Sequence, residues 1–447
     1  MTGDARPAPA SDTPRRAFRL QFLANLSLPV TAVVAAPLLA RTLGTDGRGL
    51  LAGLIAVLSL TPLVFGIGLA EAVRYNTATY GVVLPSVRRA ALRTSLALAP
   101  VAVLVVWVAA PYLVNHKPDA TRYLRWGALY VPPMLWYAVV RAELQGLRSN
   151  GVPAVERWLQ TTLRMAAFVA LWLAHRLTVG TALLAHLGSG VVAGLLLVAG
   201  ARRRAVPDAT ARAVARREVV SYGLRSWSGG LVGVVLLRLD QAIMLPVAGA
   251  KQLGMYAVAV SLAELPLLAG TALRSVLTAE AAAVRSLDLV SATGRRCVAV
   301  VLAIAVAAVP VAHPFVVVVF GRDFAGAAPM LVVLLFACAP AMLLELTGAA
   351  LGAVGRPGTH SAGIGIGAGL TLVLLVPAVA VAGGVGAAVV SLLSYALSAG
   401  FCLARLHRVA GVPPRDFALP RRDDLRWLLR EGRRAIPGGG RGRTVAE

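Results

Sequence analysis

Five ionisable side chains fall deep inside long apolar runs: Arg164, Arg238, Asp240, Glu264 and Glu345. A charge at the bilayer midplane costs at least ~2.5 kcal/mol on insertion scales, so such a residue faces a wet cavity or a partner. Arginine offers a permanently charged, forked set of donors that fits phosphate oxygens. A carboxyl group that gains and loses a proton inside the membrane suits ion coupling. Arg238, Arg164 and Arg74, with Asn25 in the first apolar run, are therefore candidate cargo contacts, and Asp240, Glu264 and Glu345 candidate coupling groups. Each has a structural alternative. An arginine can tie helices through a carboxylate or a carbonyl, Arg74 has Glu71 three residues earlier on its own face, and Asn25 can bond a neighbouring helix. Arg238 and Asp240, two residues apart, point to nearly opposite faces and do not neutralise each other along one helix.

The elements that hold these groups must be membrane helices. The 447 residues are 58% apolar and 14% charged, with a mean hydropathy of +0.75, too apolar for a water-soluble globule. Long unbroken runs, rather than ten-residue alternation, exclude a β-barrel. The formal charge of +24 would suggest nucleic acid in a soluble protein. Here its distribution gives a topological reading instead. Cys297, Cys338 and Cys402 are far apart and define no disulfide framework, and the six histidines have no ligand spacing, so neither a metal nor a cofactor is expected. No catalytic triad, P-loop or paired-acid site stands out, which argues against an enzyme. Gly363, Gly365, Gly367 and Gly369 lie within an apolar run with no strand before them, and read as close helix packing, not a dinucleotide site.

Span lengths and turn residues predict about twelve transmembrane helices, near 20–42, 48–73, 90–114, 122–147, 154–175, 178–200, 219–248, 253–280, 297–320, 326–353, 359–381 and 384–407. Arginines concentrate on one side of this arrangement, including Arg202, Arg203 and Arg204, which predicts that both termini are cytoplasmic in a multi-pass plasma-membrane protein.

The first and seventh spans carry the same pattern. Gly44 leads through a five-residue step to Gly49, with Pro62 beyond, and Gly249 leads through the same step to Gly254, with Pro266 beyond. Six spans separate the copies, so they share one orientation and form a parallel repeat. The expected organisation is a cytoplasmic tail (1–19), a six-helix lobe (20–200), a basic cytoplasmic linker (201–218), a second six-helix lobe (219–407) and a basic cytoplasmic tail (408–447). Two such lobes enclose a cavity that can open to either side.

The stretches Pro37 to Gly44 and Gly68 to Ala72, with Arg238-Leu239-Asp240 and Gly254 to Ala259, resemble the Wzx-type oligosaccharide flippases. These belong to the multidrug/oligosaccharidyl-lipid/polysaccharide (MOP) exporter superfamily. The resemblance covers about the first 75 residues and roughly 220 to 280. It implies a MATE-like, all-α polytopic fold and export of a polyprenyl-diphosphate-linked glycan from the cytoplasmic to the outer leaflet. The implied partners are this lipid-linked glycan, membrane lipids and a polysaccharide polymerase or glycosyltransferases, with no nucleic acid. Lipid II flippases of the same superfamily resemble it less, because they have an arginine-studded first helix and none lies between Arg19 and Arg41 here. The competing expectation is a cation-coupled drug exporter of the same architecture, which would want acidic and aromatic cavity walls.

Overall fold

A computed structural model describes residues 14–149, 151–204, 214–284, 287–421 and 423–424. Its α-helices are α1 (Pro14–Phe65), α2 (Leu69–Tyr80), α3 (Pro85–Leu113), α4 (Pro118–Gly127), α5 (Val131–Gly146) and α6 (Gly151–Leu173). They continue with α7 (Val179–Arg204), α8 (Arg216–Val284), α9 (Leu287–Phe320), α10 (Ala327–Ala353), α11 (Pro357–Ala410) and α12 (Pro414–Ala418). Among the described residues, seven helical segments are long and apolar enough to cross a membrane, the last being the 53-residue Gly358–Ala410. The chain is thus a multi-pass, all-α membrane protein with no β-strand among the described elements.

At 1.5 Å per residue, the 52 residues of α1, the 69 of α8 and the 54 of α11 exceed one bilayer crossing. Each breaks at a glycine in left-handed φ: Gly44 (φ 68°, ψ −176°), Gly249 (φ 80°, ψ 172°) and Gly383 (φ 55°, ψ −134°). Only a residue without Cβ adopts these conformations readily. The breaks coincide with three expected span boundaries. The loop-like steps after Gly44 and Gly249, however, are helical from the next residue. The second span also ends earlier than its hydropathy suggests. α1 stops at Phe65, Ile67 and Gly68 have positive φ, and α2 starts anew at Leu69. The apolar run from Leu63 to Ala72 hides this break, whose cause is tertiary: a Cβ on Gly68 would overlap the Gly223 carbonyl of α8.

The two halves of the chain meet through matched contacts 205 positions apart. A Cβ on Gly49 would overlap the Ala250 carbonyl, and one on Gly254 would overlap the Thr45 carbonyl, the position matching Ala250. The Arg41 guanidinium donates to the Val319 carbonyl at 2.8 Å, while the Asn115 amide donates to the carbonyl of Pro246, the match of Arg41, at 3.1 Å. Reciprocal contacts of this kind relate these two hairpins by an approximate two-fold axis.

At the other end, α8 closes on α1 and α2. The Trp227 indole donates to the Leu63 carbonyl at 3.0 Å, and Tyr75 stacks on Tyr222 with centroids 4.6 Å apart. Lipid gives helices no hydrophobic reason to associate, so close packing of small residues supplies the contact. Within α11, Gly363 and Gly367 lie against Ser398 and Cys402 with no room for side chains. Arg88 to Glu143 (2.8 Å) and Arg141 to Glu156 (2.9 Å) pair fully or nearly buried carboxylates with partly exposed arginines. After α11 the chain folds back. Phe417 of α12 packs fully buried against Gly294, and Asp424 accepts from Arg295 at 3.1 Å, strapping α12 to α9.

Candidate functional site

α6 carries Glu156, Gln160 and Arg164 at four-residue spacing, hence on one face. Glu156 accepts from Arg141. One turn on, Gln160 and the Tyr130 hydroxyl crowd Gly190, where a Cβ would lie 3.0 and 2.8 Å from them. A further turn brings Arg164 into a cavity bounded by α1, α6, α7 and α8. Its polar lining is Arg48 from α1, Arg164 from α6, His186 from α7, and Gln241, Ser261 and Glu264 from α8.

Arg48 is held there by its neighbour, because Gly49 is the glycine that presses against Ala250 and Gly254. The Arg48 Nε is buried without a hydrogen-bond partner. Among the described residues neither Arg48 nor Arg164 forms an ion pair, unlike Arg88 and Arg141. A buried cation without its counter-charge costs several kcal/mol. Two arginines, one histidine and one glutamate thus share the wall of this cavity.

A second, smaller cavity lies between α8, α10 and α11 and is lined by Asp240, Tyr256, Glu264, Cys338, Ser391 and Tyr395, among others. Fully buried Tyr256 donates its hydroxyl to Asp240 Oδ2 at 2.5 Å, and the Gln241 N–H donates to Oδ1 at 2.7 Å. Asp240 thus belongs to this cavity, while Gln241 lines the central one. Val260 and Glu264 line both.

Of the residues singled out from the sequence, Arg164 and Glu264 meet in the central cavity and Asp240 lies in the cavity beside it. Arg74 sits on α2, half-exposed and paired with Glu71, and lines neither cavity. Glu345 is exposed on α10 and also lines neither. Asn25 lies on α1 and Arg238 on α8, with side chains outside the described part, as are residues 1–13, 205–213 and 425–447 of the tails and linker. Sequence reading missed Arg48, His186 and Gln241. One signal was available for Arg48: it directly precedes the repeat glycine Gly49, whereas Leu253 occupies the matching place before Gly254.

The chain is a helical membrane protein with two like halves around a charged internal cavity. A family model described as polysaccharide biosynthesis protein matches residues 20–277, more than half of the chain, and the chain belongs to that family. No curated protein matches the sequence significantly. The lipid II flippase MurJ in its inward closed conformation matches with a TM-score of 0.74 at 12% identity, over 89% of this chain and 89% of that one. An inward-facing multidrug resistance MATE family transporter of the MOP superfamily matches at 0.63 and 17% identity, over 87% and 98%. A MOP superfamily transporter from Pyrococcus furiosus, described by a reversed polarity of its binding pocket, matches at 0.56 and 16%, over 90% and 97%. These likenesses establish the fold. At such identities they do not choose a cargo, although the sequence motifs had pointed to oligosaccharide flippases before lipid II flippases.

Proposed function

We propose that the chain flips a polyprenyl-diphosphate-linked oligosaccharide from the cytoplasmic to the outer leaflet by alternating access. The observation that carries this reading is the pair of arginines, Arg48 and Arg164, that line the interlobe cavity without an ion pair among the described residues. Forked guanidinium groups grip a diphosphate in a bidentate manner, the glycan occupies the remaining cavity, and the polyprenyl tail stays in lipid. In this reading the Gly49 end faces outward, the Gly68 end and both termini face the cytoplasm of the plasma membrane, and a polymerase or glycosyltransferase meets the basic tail. Asp240 and Glu264 serve as ion-coupling carboxylates. A drug-cation exporter would invert the charge of the cavity wall; the MATE likeness supports its architecture, and the arginines argue against its cargo.

The test is deletion of the gene with measurement of surface glycan and of lipid-linked precursor. Loss of surface glycan with inner-leaflet accumulation of precursor is expected. Unchanged export without accumulation would overturn the reading.

A further inference from the structure

We infer that the flank of the first half carries a seat for one anionic membrane phospholipid, whose phosphodiester is held by Arg125 and Arg122 of α4 beside Trp107 of α3. None of these residues lines the central cavity. Asn115, just after α3, reaches the Pro246 carbonyl near the break at Gly249, which places this end of α3 with the Gly49–Gly254 crossing. In the orientation proposed above the seat is in the outer leaflet, and it needs nothing else from the cargo reading.

Pro111 lies inside α3. Proline has no N–H, so the Trp107 carbonyl, four residues earlier, loses its helical donor, and lipid cannot supply another. Arg125 does: its Nε donates to that carbonyl at 3.3 Å. The exchange is mutual. The Trp107 indole N–H donates at 3.0 Å to the Arg125 carbonyl, which is left free because α4 ends at Gly127. The guanidinium carbon also sits 5.3 Å from the Trp107 ring centroid, a cation–π contact. Three contacts thus fix the guanidinium, and its two terminal nitrogens have no partner among the described residues.

α3 has 29 residues, ~43 Å of helix against a hydrocarbon core of ~30 Å. With α3 centred in the bilayer, Trp107, ~9 Å short of the end at Leu113, lies at the edge of that core, just beneath the headgroup phosphates. Around it Leu104, Val108 and Tyr112 of α3 and Trp126 of α4 are exposed, as expected of a surface that meets lipid. An arginine in such a place ordinarily extends to the headgroups. Arg125 is tied back to Trp107, so the counter-charge must come to it. Arg122, three residues earlier on the same face, is nearer the surface and shares its charge with Asp119 at 3.1 Å. The three charges of α4, two arginines and one aspartate, leave a net charge of +1. That complements a lipid of one negative charge, such as phosphatidylglycerol, better than a zwitterionic one, and the forked guanidinium fits two phosphate oxygens.

The experiment uses the full-length protein in phosphatidylcholine nanodiscs carrying a trace of photoreactive phosphatidylglycerol, with crosslinks mapped by mass spectrometry. Crosslinks are expected to concentrate around Tyr112 and Trp126 and to fall when unlabelled phosphatidylglycerol is added. A matched photoreactive phosphatidylcholine should label there no more than elsewhere. Arg125→Gln separates the seat from the fold: the glutamine Nε2 takes the place of the arginine Nε and keeps a donor for the Trp107 carbonyl, while the charge and the fork are gone. Its phosphatidylglycerol affinity should fall at least roughly ten-fold, with the thermal midpoint in phosphatidylcholine alone unchanged. If the variant unfolds, crosslinking of the unaltered protein decides by itself. Crosslinks spread evenly over the lipid-facing surface, or equal labelling by both lipids, overturn the inference. Undiminished labelling of Arg125→Gln also overturns it. So does displacement of the labelled lipid by farnesyl diphosphate in preference to phosphatidylglycerol, which would assign the arginines to a polyprenyl phosphate.

Discussion

The backbones of Gly49 and Gly254 cross so closely that neither position has space for a methyl group. Arg48 and Ala52, on either side of Gly49, line the interlobe cavity, so the crossing is expected to seal that end of it.

Gly49→Val should therefore wedge the seal open. Overpacking of this kind costs about 1–3 kcal/mol, read as a lower thermal midpoint. A cysteine placed at Ala52 reports access directly: a membrane-impermeant maleimide should label it from outside in the Gly49→Val background and not in its absence. Equal labelling in both would show that the crossing is not the seal.

Arg48→Leu should separate stability from function. Removing a cation that forms no ion pair and whose Nε is buried without a partner is expected to stabilise the protein, visible as a raised thermal midpoint. The same change removes a charge-assisted contact worth about 1.5–3 kcal/mol, so farnesyl diphosphate affinity should fall roughly 10- to 100-fold. A variant that is both less stable and equally competent in binding would contradict the assignment.

What the sequence disclosed and what it hid follow from the range of the interactions involved. The repeat was legible because the bends at Gly44 and Gly249 demand the same local backbone, and glycine is the residue that adopts it. Arg164 and Glu264 were legible because charge within an apolar run stands out. Arg48 was not, because it lies four residues beyond a helix break and reads as a loop charge until the second half of the chain covers it. His186 has nothing in its own sequence neighbourhood to mark it, and only the approach of α1, α6 and α8 gives it a role. The break at Gly68 was equally hidden, since its partner Gly223 lies on a distant helix. For Arg74 the structure shows the local ion pair with Glu71 that the three-residue spacing had offered as its alternative.

Glu143 and Arg88 offer a test of the packing. The Glu143 side chain is fully buried and its partner about one-third exposed. Arg88→Ala, which strands the carboxylate, should cost about 3–5 kcal/mol in thermal unfolding. Arg88→Met with Glu143→Met should recover most of it. Additive losses in the double variant would contradict this.

Phe417 anchors the strap formed by α12. Phe417→Ala should destabilise by about 3–5 kcal/mol, the loss expected for a fully buried aromatic ring. Asp424→Asn, which keeps the volume but weakens the tie to Arg295, should act in the same direction by less. Limited proteolysis after Ala410 would read both, with faster cleavage expected in each variant.

The reciprocal crossing at Gly49 and Gly254 is in form an isologous dimer interface within one polypeptide, each hairpin presenting the same surface that it receives. During synthesis the first hairpin enters the membrane some 205 residues ahead of its counterpart and keeps that surface vacant meanwhile. Two nascent chains at this stage hold mutually complementary faces. Rapid completion of the second half therefore protects the protein against pairing with its own copies.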